Sequence, residues 1–365
     1  MSITKVTDAG LDRSRIVTPI IINGDMSVAQ RSTSASSSGS GYHCIDRMNI
    51  FCGIGTHTFS QSTTVPTGQG FAKSFKVDCT TAEASPGASD VFIFGQKLEG
   101  QNLQSLKKGT SSSESTTFSF WVRSNKTGTY TCEIQDLDNT RQISKTYTIN
   151  SADTWEKKVI SFAGDTTGAF DNDNANSCQI NWWIGAGSNF TSGTLNTSWA
   201  STTNANRVSS SQVNIGDNTS NEWYITGLQW EVGEFDSNTI PSFPFESFDN
   251  NLRKCKRYTH RIDGNGTNDT VVASCAMAST SQVRSPFMFP VTMRTSPSVT
   301  ESDLEIQDDA NAHTASSLGL TFGACDSSIA LVINADSGSP FTSGEAGLVK
   351  INNTTDGFLM FDAEL

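Results

Sequence analysis

The residues best able to do chemistry are aromatic: adjacent Trp182 and Trp183 in Gln179-Ile180-Asn181-Trp182-Trp183-Ile184, and Trp199 in the polar stretch Asn189 to Asn206. Sugars carry apolar C–H faces that rest on electron-rich rings, and hydroxyls that need planar amide and carboxylate partners. Successive strand side chains alternate between faces, so Trp182 and Trp183 must point to opposite sides of one sheet. One of them is a candidate glycan-stacking platform or subunit contact, unless the chain's own loops cover the outer face. Trp199 has few apolar neighbours and is expected to be exposed. Trp121, Trp155, Trp223 and Trp230 alternate with polar residues and are expected in a core.

Reactive chemistry is poorly supported. The four histidines, at 43, 57, 260 and 313, are too dispersed for a helical metal pair, and no Gly-x-Ser-x-Gly elbow occurs. Asp136 with Asp138, or Asp308 with Asp309, read as solvated turn residues, because a glycosidase dyad is defined by separation in space. Asp171-Asn172-Asp173-Asn174 resembles the start of a calcium loop. An EF-hand is excluded, since Asn176 stands where its glycine belongs and Trp182 where its glutamate belongs. The expectation is no catalytic residue, no metal ligand and no cofactor, with a non-EF calcium site in that loop the one reading left open.

The elements that must position these side chains are strands. Short alternating segments recur between turns: Arg47 to Ile54, Gly70 to Asp78, Asp90 to Gln96, Thr116 to Arg123, Gly128 to Gln135, Gln142 to Ile149, Trp155 to Phe162 and Cys178 to Ala186. Phe118 to Arg123, the turn Ser124-Asn125-Lys126-Thr127-Gly128 and Thr129 to Ile134 read as a hairpin. Ile16 to Ile22 is a β-branched run expected to be an edge strand, since Pro19 lacks a donor. Ser32 to Gly41 reads as a Ser/Gly surface loop, and Lys97 to Leu106 carries a short helical period. The fold class is all-β: an antiparallel jelly-roll β-sandwich followed by a smaller C-terminal β domain. The expected organisation is a docking tail over 1–15, the sandwich over 16–245, a connecting helix over 246–258 and the second β domain over 259–365. Its strands are expected at Thr270 to Cys275, Phe287 to Met293, Ile329 to Asn334, Gly347 to Ile351 and Phe358 to Ala363.

Composition agrees with thin sheets and much polar surface. Apolar residues make up 35 % of 365, while Ser and Thr supply about a quarter. Twenty-one Phe and seven Trp exclude a disordered chain. A formal charge of −12 repels phosphate backbones, so nucleic acid is excluded as a partner. The basic run Arg253-Lys254-Cys255-Lys256-Arg257 reads as a solvated or subunit-facing stripe on a helix. Eight cysteines show no zinc spacing and are expected mostly reduced, as in a chain made in a reducing cytoplasm. No stretch reaches the length needed to span a bilayer.

Several motifs carry a resemblance. Asn23-Gly24-Asp25-Met26 with Ala29-Gln30-Arg31 leads to Asp46-Arg47-Met48; Phe120 to Ser124, Thr154-Trp155-Glu156 and Gly164-Asp165 follow. Later come Thr226 to Gly233, Pro244-Phe245-Glu246, Cys255-Lys256-Arg257-Tyr258, Phe289 to Pro297 and Phe361 to Leu365. Together these resemble bacteriophage tail-fibre and tail-spike virion proteins with a jelly-roll, carbohydrate-binding-module-like domain. The departures are Trp230 where a Leu is usual and Ser32 where a Gly is usual. The resemblance implies a non-enzymatic virion subunit, a tail fibre or receptor-binding part, that contacts host-surface glycans. It also implies a homo-oligomer, a trimer, joined to other virion proteins through its N-terminal segment. A head fibre or capsid-decorating protein without a receptor role is the alternative, and a polysaccharide depolymerase the third.

Overall fold

The computed structural model describes residues 19–308, 311–322, 325–335 and 341–365, with the side chains of 320–322 left aside. The expected tail over 1–15 and residues 16–18 of the expected first strand lie outside the described residues. Twelve strands build the first part: β1 (Ser34–Ser37), β2 (Asn49–Cys52), β3 (Thr56–Ser62), β4 (Ser74–Thr81), β5 (Val91–Glu99), β6 (Thr116–Ser124), β7 (Gly128–Asp136), β8 (Arg141–Ile149), β9 (Glu156–Phe162), β10 (Asn176–Ala186), β11 (Ala200–Ser201) and β12 (Glu222–Val232). They form two antiparallel six-stranded sheets, ordered β1-β3-β4-β12-β6-β9 and β11-β8-β7-β10-β5-β2. The chain repeatedly crosses between sheets, from β4 to β5, β5 to β6, β6 to β7 and β8 to β9, which is jelly-roll winding.

Alternation explains why the layers hold together. The inward residues of β6, Phe118, Phe120 and Val122, meet Trp182, Trp223 and Trp230 in one buried cluster between the sheets. Trp182 lies at its centre, with ring centroids 5.8 Å from Phe94, 5.9 Å from Phe118 and 5.6 Å from Phe120. Tilted and edge-on rings at such spacings add to the gain from buried area.

A helix, Phe248–Lys256, leads to the second part; the Ser247 hydroxyl caps it by accepting from the Asn250 N–H. The strands that follow are β13 (Thr259–Asp263), β14 (Thr270–Met277), β15 (Gln282–Met288), β16 (Ser298–Ser302), β17 (Leu304–Gln307), β18 (Ala312–Phe322), β19 (Ser328–Ala335), β20 (Ala346–Ile351) and β21 (Phe358–Asp362). Six of them close a barrel, β14-β15-β19-β18-β17-β20, beside the three-stranded sheet β13-β21-β16. None of the helices among the described residues is long and apolar enough to cross a membrane. All eight cysteines are unpaired, and seven are buried.

Several local expectations are corrected. Ile20 to Ile22 form bends rather than a strand. The backbone of Ile22 is instead held by the Gln96 amide, which accepts from its N–H at 3.0 Å and donates to its carbonyl at 2.8 Å, so a side chain replaces the ladder partner. The Ser-rich stretch contains β1, an edge strand paired with β3, because small hydroxyl side chains do not prevent backbone pairing. Lys97 to Glu99 continue β5, and the helical period beyond it becomes two 3₁₀ turns, Gly100–Asn102 and Gln104–Leu106. The expected strand Phe287 to Met293 is displaced: β15 ends at Met288, before Pro290.

Several of the resemblance motifs meet where the sandwich touches the second part. Asn23, at φ 61°, donates to the carbonyls of Val28 and Asp46 at 2.9 and 3.0 Å. Asn251 of the helix reciprocates, its Oδ1 accepting from the Asn23 N–H at 3.1 Å and its amide donating to Asp25 at 3.0 Å. Arg47 is fully buried, pairs with Glu364, donates to the Lys97 carbonyl at 2.6 Å and lies 3.4 Å from the centre of the Tyr258 ring. Glu99 receives Arg257 through two bonds of 2.8 and 2.7 Å and also accepts from the Tyr258 hydroxyl. Arg31 reaches Asp362 at 2.9 Å, and Arg294 donates to the carbonyls of Ala363 and Glu364 at 2.7 and 2.9 Å.

Removing one partner of a buried ion pair strands the other charge, at about 3–5 kcal/mol. Arg47→Met is therefore expected to lower stability in chemical denaturation by about that much, with the Arg47→Met/Glu364→Leu double variant recovering part of the loss. A second prediction concerns pH. Burial between apolar rings holds His57 and His260 at about 4, so both are neutral when folded. Their contribution is complete above the ordinary His value and is lost as pH falls towards 4. Burial raises Asp46 to about 6, which works in the opposite sense and offsets part of that loss. Stability is expected to drop by a net few kcal/mol, about 1.4 per pKa unit, between pH 7 and 4. The drop should be shallower in His57→Leu.

Candidate functional site

The sequence-predicted aromatics divide by face. Trp182 and Trp183 do point to opposite sides of their sheet, yet they are 1 % and 0 % exposed. The expectation that one of them offers a free stacking face is corrected, because a loop running from Gly187 to Val213 covers the outer face. The Trp183 indole donates to Glu133 at 3.0 Å, and Arg207 lies 5.0 Å above the ring while pairing with Glu133 at 2.8 and 2.9 Å. Trp199 is half-buried rather than free: its indole donates to the Ala163 carbonyl at 2.7 Å. The Lys108 ammonium sits 5.2 Å from the Trp199 ring and pairs with Asp136 at 2.5 Å and Asp165 at 3.1 Å. The structure therefore does not bring Trp182, Trp183 and Trp199 together.

The outer face of the other sheet stays open. Trp223 and Trp230 are core as expected, while Trp121 and Trp155 are half-buried on this outside face. On β6 the even-numbered residues Phe118, Phe120 and Val122 fill the interior, which sends Ser119, Trp121 and Arg123 outward. Register places Trp121 opposite Thr226 of β12 and Lys157 of β9, and Ser119 opposite Gln229.

A bulge in β12 shapes the groove. Pairing with β6 slips between Thr226 and Gln229, and Gly227 there adopts φ 67°. A Cβ at Gly227 would stand 2.6 Å from the Phe71 ring, so the bare backbone lets that ring lie against the strand. Phe71, Phe243 and Phe245 then cluster, with centroids 5.0, 5.0 and 4.9 Å apart. Phe245 is 52 % exposed.

Between this trio and the strands runs a groove of about 700 Å³ including its open mouth, lined by Gln69, Ser119, Trp121, Lys157, Gln229 and Phe245 among others. Beyond Trp121, Tyr224 is enclosed by Arg123 at 5.0 Å and Lys76 at 5.7 Å, with Trp155 edge-on at 6.2 Å. Its hydroxyl donates to Glu222 at 2.7 Å, so Tyr224 is a wall and not a platform. Gln229 is oriented by its own bonds to Glu231 at 3.0 Å and the Pro241 carbonyl at 3.2 Å. The indole N–H of Trp121, the Lys157 ammonium and the Gln69 amide have no hydrogen-bond or ion-pair partner among the described residues. The groove thus offers apolar ring surface beside unspent donors, which matches the two-sided chemistry of a sugar.

Sequence reasoning did not find Trp121, Lys157, Gln69 or the Phe trio as a group. Strand alternation from Phe118 would have turned Trp121 outward had its phase been fixed by the two Phe residues. The join of Gly70-Phe71 to Ser242-Phe243 had no local signal.

No group of three or more His, Cys, Asp or Glu able to hold a metal occurs among the described residues. The Asp171 to Asn174 turn is tied into other contacts. Asp173 accepts from the Ala175 N–H at 2.9 Å, and Asn174 donates to the Arg294 carbonyl at 2.6 Å. In the basic run, Lys254 pairs with Glu246 and Arg257 with Glu99, which places two of its charges in intramolecular bridges.

No protein-family model and no curated protein matches the sequence. Among solved structures, the chain is similar to the enzymatically active domain of a bacteriophage CBA120 tailspike protein, at 14 % identity and a TM-score of 0.31 over 59 % of this chain. That match spans 21 % of the domain's chain. It is also similar to a protein from Bacteroides thetaiotaomicron described as a putative sugar binding protein, at 12 % identity and a TM-score of 0.33, over 59 % of this chain and all of that one. A third likeness is to a family 11 carbohydrate-binding module from Clostridium thermocellum in complex with a mixed-linked tetrasaccharide, at 11 % identity and a TM-score of 0.25, covering 56 % and 91 %. At such scores the chemistry of the groove stands on its own residues.

The groove's geometry yields a local prediction. Gly227→Ala is expected to destabilise the protein by about 1–3 kcal/mol, through the positive φ and the collision with Phe71. Phe71→Ala in the same chain should relieve part of that loss in thermal unfolding.

Proposed function

We propose that this protein is a non-enzymatic bacteriophage virion subunit, a tail-fibre or receptor-binding part, that contacts host-surface glycans through the outer face of the β1-β3-β4-β12-β6-β9 sheet. The observation that carries the glycan reading is the groove between Trp121 and the Phe71–Phe243–Phe245 cluster, with its unpartnered donors. A sugar ring laid on Trp121 would bury its C–H face while its hydroxyls meet Gln69, Ser119 and Gln229.

The virion role rests on the resemblance of the motifs. In the structure the Asn23 to Asp25, Arg31, Asp46-Arg47, Arg257-Tyr258, Arg294 and Phe361 to Leu365 parts of those motifs form the joint between the sandwich and the second part. A homotrimer fits that role and leaves sheet faces and edges to be covered by other copies.

Glycan microarray binding followed by calorimetry tests the reading. Trp121→Ala is expected to weaken binding about tenfold or more, equivalent to at least about 1.4 kcal/mol, with the unfolding midpoint little changed. Unaltered affinity in that variant would remove the groove from the account. Incubation with host polysaccharide is expected to leave chain length unchanged.

A further inference from the structure

The groove holds one cation that the protein leaves unmatched. Lys157 sits opposite Trp121 in the β6–β9 ladder, on the same face, and is exposed. Two other cations on this face are neutralised, Lys76 by Glu222 at 2.7 Å and Arg123 by Asp153 at 2.9 Å, while on the opposite face of β9 Lys158 pairs with Glu156 at 2.5 Å. Despite partial burial, Lys158 and the Asn150 and Ser151 amides draw the Glu156 carboxyl down to about 2, so that carboxylate is already taken by others. Neither Asp nor Glu lines the groove. In a chain with formal charge −12, a lone ammonium beside a stacking indole is an unusual local sign.

We infer that the groove selects an acidic glycan, placing an anionic ring substituent, a uronate-type carboxylate or a sulfate ester, on Lys157 while the sugar ring stacks on Trp121. This rests on the glycan reading above and names its ligand class. Directly opposed side chains on one face of an antiparallel pair have Cβ atoms about 5 Å apart. The flexible lysine stem therefore brings Nζ to the rim of a ring seated on the indole, where a C5 carboxylate projects. The interaction is one charge pair near the surface, so it contributes selectivity more than total affinity and weakens with salt.

The test uses the full chain and a panel of bacterial surface polysaccharides, each immobilised in native, carboxyl-reduced and desulfated forms. Wild type is expected to bind at least one native acidic polysaccharide about tenfold or more tightly than its neutralised form. The form whose loss abolishes binding names the anion. Lys157→Gln should flatten that difference, and Lys157→Arg should keep it. Raising salt from low to high should erase the preference in wild type and change nothing in Lys157→Gln.

Equal binding of native and neutralised forms by wild type, still lost in Trp121→Ala, would overturn the acidic selection and leave the glycan reading standing. Absence of binding to every form would overturn both. Lys157 makes no ion pair or hydrogen bond among the described residues, so the variants are expected to fold as wild type does, which circular dichroism checks.

Discussion

A buried guanidinium sets the terms for the rest of the molecule. Arg47 has no access to solvent and is held by Glu364, the Lys97 carbonyl and the face of Tyr258. Isolating such a charge would be prohibitive, so residues 47, 97, 258 and 364 must arrive together. From that point the order spreads. Asp46 accepts from the Gln30 N–H at 2.8 Å and Gln30 donates to the Thr259 carbonyl at 2.7 Å, which carries the constraint across the joint. The Asn23 loop, fixed by the same assembly, accepts from the Leu228 N–H through Gly24 at 2.9 Å. Leu228 adjoins the Gly227 bulge, and the bulge seats Phe71. A polar knot at the base of the sandwich is thereby connected, residue by residue, to the wall of the groove.

The two sheets use their outer faces differently. The face bearing Trp183 is closed by the chain's own loop and sealed with a Glu133–Arg207 pair, which satisfies the indole and the charges in one arrangement. The face bearing Trp121 is walled by the Phe trio at one end and by Tyr224 with its cations at the other, and its middle is left open. An aromatic ring half-buried on a rigid strand loses little freedom when a ligand settles on it, because its rotamer is already constrained by its neighbours. Such preorganisation suits recognition of a flexible, hydrated polymer.

Much of the fold was legible in the sequence because strand alternation and turn chemistry are local. Phe118 to Arg123 and Thr129 to Ile134 announced their hairpin, and the 3–4-residue spacing of apolar Phe248, Leu252 and Cys255 announced the connecting helix. Where partners were distant, the reading failed. Ile16 to Ile22 looked like a strand, but the backbone of Ile22 bonds to the side chain of Gln96 instead of a ladder partner. Trp121 and Trp155 looked like core because they alternate with polar residues, and only the register with β12 and β9 shows Trp121 facing outward, with Trp155 edge-on to Tyr224 beyond it. Trp182 and Trp183 were correctly split between faces, while the covering loop that hides Trp183 depends on Arg207, 24 residues further on. The framework motifs were visible as punctuation, but that Arg47 meets Glu364 required the folded chain.

The most direct measurement of the central claim is hydrogen–deuterium exchange of the protein with and without a bound host-surface polysaccharide. The account predicts slowed exchange confined to the groove lining, residues 68–71, Thr116–Ser124, the β9 segment around Lys157, the Gly227 bulge and residues 242–245, where ligand would lie across the strands. Protection confined instead to the loop from Gly187 to Val213 or to the barrel strands would contradict it, and would move recognition to a surface that the groove's chemistry does not describe.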